Sequence, residues 1–155
     1  MENKDLLTKA VKLAEEGIKN GAGPFGAIVV LNGEIISEAV NLVVHLNDAT
    51  AHAEIVAIRQ AGKLLRTHNL SGCVLYSSCE PCPMCLGAIY WSGIKTVYFA
   101  ADRKDAADAG FSDKYIYDEL SLSPEKRHIG FNRITEVNGV EVFRIWNLSE
   151  NKIPY

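Results

Sequence analysis

Two short segments of the chain combine residue types that can bind a metal ion. The first is Thr50-Ala51-His52-Ala53-Glu54, and the second is Glu80-Pro81-Cys82-Pro83-Met84-Cys85. Thiolate and imidazole groups are ligands that zinc prefers over harder oxygen-rich sites. Three of the four cysteines fall between Cys79 and Cys85. In a reducing compartment, clustered cysteines indicate metal binding or catalysis rather than disulfide bonds.

The spacing within the two segments suits a catalytic zinc centre. Each segment is predicted to open a helix, so that Cys82 and Cys85, three positions apart, share one helix face. With His52 as the third ligand, the fourth tetrahedral position stays open for water, whereas structural zinc sites normally have four protein ligands. Glu54 is then placed to act as the catalytic acid/base that takes a proton from water and passes it to the substrate.

Two alternatives concern the remaining cysteines and the role of the metal. Cys79 is either a small packed residue beside the site or a fourth ligand, which would make the site structural. Cys73 lies in a strand pattern and is predicted to belong to the core. A non-catalytic, zinc-stabilised binding module is the alternative to an enzyme, and Glu54 argues against it, because a structural site needs no carboxylate beside the metal.

The hydrophobic pattern predicts the elements that position these segments. Apolar residues recur at helical spacing before the first glycines, and Asn32-Gly33 is a strong hairpin signal between two strands. The predicted elements are a helix over 5–20, strands over 26–31 and 34–40, a helix over 52–65 with Thr50 as its N-cap, a strand over 73–77, a helix over 82–91, a strand over 95–101, a short helix over 115–120 and a fifth strand over 133–137. Residues 140–146 fit a strand or a helix.

The order of these elements predicts the fold class. Strands that are linked through helices favour parallel pairing, while the hairpin must be antiparallel. We therefore predict a three-layer α/β/α fold around a central mixed five-stranded sheet. The length of 155 residues favours one domain spanning residues 1–155.

Composition and charge exclude several classes of function. The chain is 48% hydrophobic and 23% charged, which is typical of a globular domain. Sixteen Lys and Arg against nineteen Asp and Glu give a net charge of −3, without the basic excess of a protein that binds nucleic acid. No apolar run approaches the roughly 18 residues of a membrane span, and charges interrupt any signal-peptide pattern. These features predict a cytoplasmic protein that is not bound to a membrane.

An H-x-E motif followed by P-C-x-x-C is the signature of zinc-dependent nucleobase deaminases. The chain resembles the cytidine-deaminase-like superfamily and, within it, the bacterial guanine deaminases along almost its whole length. The blocks that carry this resemblance are GPFGA at 23–27, NDATAHAE at 47–54, SCEPCPMCLGAIYW at 78–91 and DAADAGF at 105–111. The two central blocks are shared with transfer-RNA adenosine deaminases. The Ala-Gly-Phe sequence at 109–111 and the tail ending Pro154-Tyr155 resemble the guanine-specific members more narrowly.

The resemblance implies a hydrolase of purine metabolism that deaminates guanine to xanthine and ammonia. It implies a homodimer in which the C-terminal segments are exchanged. It also implies that Asp113 contacts the substrate and assists proton transfer. The substrate-binding residues that it implies are Phe25, Asn41, Trp91 and Tyr155. Judged from the residues alone, Asp113 fits a helix N-cap, Asn41 a turn, Trp91 equally the core or a pocket wall, and Tyr155 a frayed terminus.

Other deaminases remain alternatives at this point. A transfer-RNA adenosine deaminase would be expected to carry excess Lys and Arg, often in its C-terminal helix, yet residues 146–155 contain one Lys and one Glu. A guanosine, cytosine or cytidine deaminase would differ by a few pocket contacts, since small changes in a pocket move specificity. Only the resemblance separates these substrates from guanine.

Overall fold

A mixed sheet of four strands lies at the centre of the computed structural model, which describes residues 1–154. The strands are β1 (Gly23–Leu31), β2 (Glu34–Asn41), β3 (Cys73–Cys79) and β4 (Thr96–Ala101), in the order β2-β1-β3-β4. β1 pairs antiparallel with both β2 and β3, whereas β3 pairs parallel with β4. Asn32 and Gly33 have positive φ angles of 52° and 83° and form the predicted hairpin turn.

Helices cover both faces of this sheet. The helices before β4 are α1 (Asn3–Lys19), α2 (Val43–Leu46), α3 (Ala53–Leu65) and α4 (Pro83–Ser92). Successive residues of β1 point to opposite faces: Ile28 and Val30 pack in the core beneath α1, and Ala27 and Val29 pack in the core that α3 and α4 share. The predicted α/β fold with a mixed sheet is confirmed.

The chain divides into two compact units, Met1–Lys114 and a second unit that begins at Tyr115. The later helices are α5 (Arg103–Asp108), α6 (Lys114–Leu120), a 3₁₀ turn (Pro124–Lys126) and α7 (Val140–Leu148). Within the second unit, Arg127 donates hydrogen bonds to the carbonyl of Leu122 and lies 5.1 Å from the ring centre of Phe131. Among the described residues, no helix combines the length and apolar character of a membrane span.

The predicted fifth strand is wrong. Residues 133–137 form no strand, and the sheet has four strands in the part of the chain that the structure describes. Ile134 and Val137 are exposed at 66% and 70%, so this segment has no buried face with which a strand could pack on a core. Residues 140–146, which fitted either element, lie in α7.

The predicted N-cap of the second long helix is also wrong. His52, not Thr50, is the N-cap of α3. The Thr50 hydroxyl instead donates a 2.7 Å hydrogen bond to Asp48 Oδ1, and the same carboxylate accepts the backbone N–H of Thr50. The threonine side chain is thus used in a turn before the helix begins.

Candidate active site

Two helix N-termini bring the predicted metal ligands together. His52 and Cys82 are the N-cap residues of α3 and α4, and both have extended backbone angles. Cys85 lies in the first turn of α4. Pro83 begins this helix, at a position where proline loses no helical hydrogen bond. The partial positive charge at a helix N-terminus favours thiolates. The local sequence therefore places two sulfur atoms and one imidazole at the N-termini of two helices on the same face of the sheet.

The distances between these groups fit a zinc ion. His52 Nδ1 is 3.5 Å from Cys82 Sγ and 3.6 Å from Cys85 Sγ. A tetrahedral zinc with ordinary Zn–N and Zn–S bonds separates a nitrogen and a sulfur ligand by about 3.5–3.6 Å. The three ligand atoms all lie within 4.8 Å of one another, and no further ligand joins this group among residues 1–154. A site with three protein ligands leaves one position for a reacting molecule.

The thiols of Cys82 and Cys85 differ in acidity. The pKa of Cys82 is lowered to about 4, chiefly because Cys85 donates a hydrogen bond to its thiolate. The pKa of Cys85 is correspondingly raised by that hydrogen bond and by burial. Hydrogen bonding to Cys82 also raises the pKa of His52. Because zinc binds thiolates and neutral imidazole, metal uptake must displace protons from this group.

Glu54 lies beside the three ligands in the first turn of α3. Its side chain is buried, and burial raises the pKa of its carboxyl group. One oxygen, Oε1, accepts a 3.1 Å hydrogen bond from Ser77 Oγ, and the other, Oε2, lies 3.5 Å from Cys85 Sγ. A buried carboxyl group with a raised pKa, next to a metal position, is suited to carrying protons near neutral pH.

The metal loop, residues 80–82, carries Cys82 and is fixed to the start of α5. Glu80 Oε1 lies 3.0 Å from the guanidinium of Arg103, and Glu80 Oε2 accepts the backbone N–H of Arg103 at 3.2 Å. The backbone N–H of Glu80 donates to the carbonyl of Ala101 at 2.8 Å. Glu80 therefore joins the metal loop to the junction between β4 and α5.

The other predicted site residues have varied surroundings. Phe25 meets Phe111 edge to face at 5.1 Å, and both line a cleft of about 370 Å³ that also touches α1 and α5. Asn41 is buried at the end of β2, and its Oδ1 accepts the N–H of Val43 at 3.2 Å. Trp91 is 71% exposed on α4 and does not belong to the core.

The last two predicted residues are Asp113 and Tyr155. Burial raises the pKa of Asp113, and the negative charges of Cys82 and Glu80 act in the same direction while Arg103 opposes them. Asp113 is therefore within electrostatic reach of the metal loop. Tyr155 lies outside the described residues.

Sequence reasoning missed the contacts of Ser77 and Arg103. The signal for Ser77 was a polar residue in the apolar β3 pattern, where the neighbouring side chains are buried. No pattern in the sequence pointed to Arg103, because its contact with Glu80 joins segments that are far apart along the chain.

Comparison with known proteins agrees with this geometry. The family model for the cytidine and deoxycytidylate deaminase zinc-binding region matches residues 1–101, which include both helix starts. Guanine deaminase of Bacillus subtilis is 49% identical over 156 residues, covering 100% of both chains, and its crystal structure superposes with a TM-score of 0.97. A tRNA-specific adenosine deaminase of Buchnera aphidicola is 40% identical, covering 83% of this chain and 85% of the relative. The structure of guanine deaminase from Nitrosomonas europaea gives a TM-score of 0.69 at 32% identity, covering 81% of this chain and 69% of that one. The chain therefore belongs to the family of deaminases that share the cytidine and deoxycytidylate deaminase zinc-binding region.

Proposed function

We propose that this protein is a zinc-dependent aminohydrolase that converts guanine and water to xanthine and ammonia. The observation that carries the reaction type is the position of Glu54 Oε2 against the His52, Cys82 and Cys85 group. The substrate follows from the match to a guanine deaminase over the whole chain, whereas the adenosine deaminase match covers 83% of it. A cytoplasmic location and a role in purine metabolism belong to the same proposal.

Four residues have separate roles in the proposed reaction, three as metal ligands and one in proton transfer. His52 Nδ1 and the sulfur atoms of Cys82 and Cys85 would hold the zinc ion, which when bound acts as a Lewis acid and lowers the pKa of water. Glu54 takes a proton from the attacking water and delivers it to the purine ring. The water oxygen bonds to the carbon that bears the amino group. Glu54 then moves the remaining proton of this oxygen to the amino group, and the carbon–nitrogen bond breaks to release ammonia.

Five further residues form the proposed substrate pocket. Phe25, Asn41, Trp91 and Tyr155 are proposed to bind the purine, and Asp113 is proposed to assist proton transfer. The aromatic contact of Phe25 with Phe111 supports a rigid wall at that side. The raised pKa of Asp113 supports its part in proton transfer.

An assay of ammonia release tests the reaction and the substrate together. The panel consists of guanine, guanosine, adenine, cytosine and cytidine, with the product identified by its ultraviolet spectrum. We expect turnover of guanine alone. The Glu54→Gln variant should retain zinc and its fold but lose about 10²–10⁴-fold in turnover. Activity on a nucleoside would contradict the free-base assignment, and an active Glu54→Gln variant would contradict the mechanism.

A test of RNA binding distinguishes the proposed function from its strongest alternative, deamination of adenosine in transfer RNA. A deaminase that acts on transfer RNA holds phosphates around its target base, so its binding is tight and falls with added salt. We expect no such binding at physiological salt. Tight, salt-sensitive binding of transfer RNA would favour the adenosine deaminase instead.

We also propose a homodimer in which C-terminal segments are exchanged. Large apolar side chains are exposed on α4, β4 and α7, and burial of such side chains against a second copy would stabilise the chain. They include Tyr90, Trp91, Phe99, Val140, Phe143 and Leu148. Light scattering is expected to give twice the 17.0 kDa mass of one chain.

Mixing two inactive variants tests the exchange itself. One is Glu54→Gln, and the other lacks Tyr155. If Tyr155 closes the pocket of the partner, a mixed dimer contains one site with an intact Glu54 and an intact terminal tyrosine. Mixing after partial unfolding and refolding should then restore guanine turnover. Without exchange, every site in the mixture stays defective and no activity returns.

A further inference from the structure

The carboxylate of Glu54 has two chemically different ends. Oε1 accepts a hydrogen bond from Ser77 Oγ at 3.1 Å, on β3. Oε2 lies 3.5 Å from Cys85 Sγ, on the side of the metal ligands. The two oxygens of a free carboxylate are equivalent, so these contacts are what distinguish them.

Ser77 is placed where a hydroxyl group has little other use. It is 1% exposed, in the middle of the sheet, where its backbone register partners are Ala27 on β1 and Phe99 on β4. A buried position in a strand needs no polar group, and an apolar side chain would fit it better than serine. A buried hydroxyl needs a partner, and the partner it has is Glu54.

The hydrogen bond from Ser77 gains importance when the metal ligands are ionised. A protonated Cys85 thiol has a single hydrogen, which it can donate either to Oε2 or to the Cys82 sulfur, so its hydrogen bond to Glu54 is not permanent. A thiolate that ligates a metal has no proton to donate. The Ser77 hydroxyl is not one of the three proposed ligands, so zinc binding leaves its hydrogen available for Oε1.

We infer that Ser77 is a positioning residue that fixes Oε1 of Glu54, so that Oε2 alone faces the metal position and carries the protons of the reaction. This inference rests on the proposed function. The Ser77 hydroxyl contacts Glu54 and is not one of the proposed metal ligands, so it acts through Glu54. By holding one oxygen, it removes rotation of the carboxylate as a source of misalignment at each proton transfer.

Three serine variants in the zinc-loaded protein test this role. Ser77→Ala removes the hydroxyl, and Ser77→Thr retains it. Ser37→Ala is the matched control, because buried Ser37 donates a 2.8 Å hydrogen bond to the carbonyl of Ala57 on the same helix α3 without touching Glu54. Each variant is measured for kcat, KM, zinc content and melting temperature.

We expect Ser77→Ala to lower kcat by about 10–100-fold with KM and zinc content unchanged, as misplacement of a catalytic group costs rate rather than binding. The kcat of Ser77→Thr should stay within about threefold of that of the parent protein. Ser37→Ala should have a lower melting temperature and an unchanged kcat. A Ser77→Ala variant with an unchanged kcat, or one that loses no more than Ser37→Ala, would overturn the inference.

Infrared spectroscopy supplies a readout that does not depend on turnover. The carboxylate band of Glu54 is identified as the band that Glu54→Gln removes. It should shift in Ser77→Ala and stay in place in Ser37→Ala. An unshifted band would show that Ser77 does not hold Glu54, whatever the substrate is. A shifted band without guanine turnover would instead show that the proposed substrate is wrong while Ser77 still holds Glu54. In that case kcat would be measured on the base that the protein does turn over.

Discussion

At the scale of single residues, the cysteines differ in what their sulfur atoms touch. Cys82 and Cys85 approach the imidazole of His52. Cys79 Sγ lies 3.6 Å from the carbonyl of Asp102 instead, and burial raises its pKa to about 11, so it remains a thiol. Cys73 is buried in the sheet, as its strand pattern predicted. The spacing left Cys79 as either a packed thiol or a fourth metal ligand, and the contacts of its sulfur favour a packed thiol.

Two cysteine variants check this division. Cys85→Ser should lose zinc on dialysis, because serine oxygen is a much poorer zinc ligand than thiolate. Cys79→Ser should keep one zinc per chain, since its sulfur lies outside the ligand group. Zinc per chain is measured by atomic absorption. Loss of zinc from Cys79→Ser would make Cys79 a fourth ligand and the site a structural one.

The pKa values of the ligands give zinc binding a definite pH dependence. Near neutral pH, Cys82 is already a thiolate because its pKa is about 4, whereas Cys85 keeps its proton because its pKa is raised. Zinc must displace that proton, so affinity should rise with pH by about tenfold per unit for each proton displaced. Competition with a chelator at several pH values measures it. An affinity that did not change with pH would contradict this proton assignment.

At the scale of helices and strands, local signals were predictive and long-range partners were not. α3 and α4 begin one residue from their predicted starts, and at α4 the proline in the first turn is a local signal for the helix start. The strand predicted at 133–137 failed because a strand also needs a neighbouring strand and a buried face, neither of which its own sequence encodes. The grouping of His52, Cys82 and Cys85 was predictable from the two motifs, whereas the Ser77 and Arg103 contacts depend on how the sheet brings distant segments together.

Packing of α1 on β1 depends on a glycine. A Cβ atom at Gly26 would lie 2.3 Å from the carbonyl oxygen of Ala10 and 2.8 Å from the backbone nitrogen of Ala14. Gly26→Ala would therefore push α1 from the sheet and lower the free energy of unfolding by about 1–3 kcal/mol or more. Gly139→Ala is the control, since nothing lies within 4 Å of its added Cβ and its φ of −68° suits alanine. Urea denaturation measures both, and an equal stability of the two variants would refute the close approach.

The contact between Glu80 and Arg103 should affect both stability and zinc retention. Glu80→Ala removes the ion pair and the acceptor for the first N–H of α5. It should lower the free energy of unfolding by about 1 kcal/mol, a value reduced because Arg103 is half exposed, and it should speed the release of zinc to a chelator. Asp108→Ala breaks an ion pair with Lys104 in which both side chains are exposed, and it should change neither quantity. Equal zinc release in the two variants would show that Glu80 does not hold the metal loop.

At the scale of the whole molecule, the sequence predicted the layers better than the end of the chain. Residues up to Lys114 form the α/β unit around the sheet, in which alternation along β1 divides the core between two faces. Beyond Tyr115 the apolar side chains of α7 are exposed, so the pattern there carries no information on a core within the same chain. A segment that is completed by a partner, as proposed for the dimer, would leave such a pattern in a single chain.

The final prediction concerns removal of the metal from the intact protein. The proposed ligands join the N-termini of α3 and α4 on one face of the sheet, whereas the core beneath α1, which contains Leu6, Ile28 and Tyr76, lies on the other face. Zinc that binds only the folded state stabilises it by mass action. Chelation should therefore lower the melting temperature by about 10 °C or more.

Hydrogen exchange should locate this effect within the molecule. Amide protons in the first turns of α3 and α4 should lose protection when zinc is removed, and those of α1 and β1 should lose less, because local opening follows local contacts. Added zinc should restore both the melting temperature and the protection, and added magnesium should not, since thiolate ligands disfavour a hard cation. If verified zinc removal left the melting temperature and the exchange of α3 and α4 unchanged, the metal would not be what holds these two helix starts together.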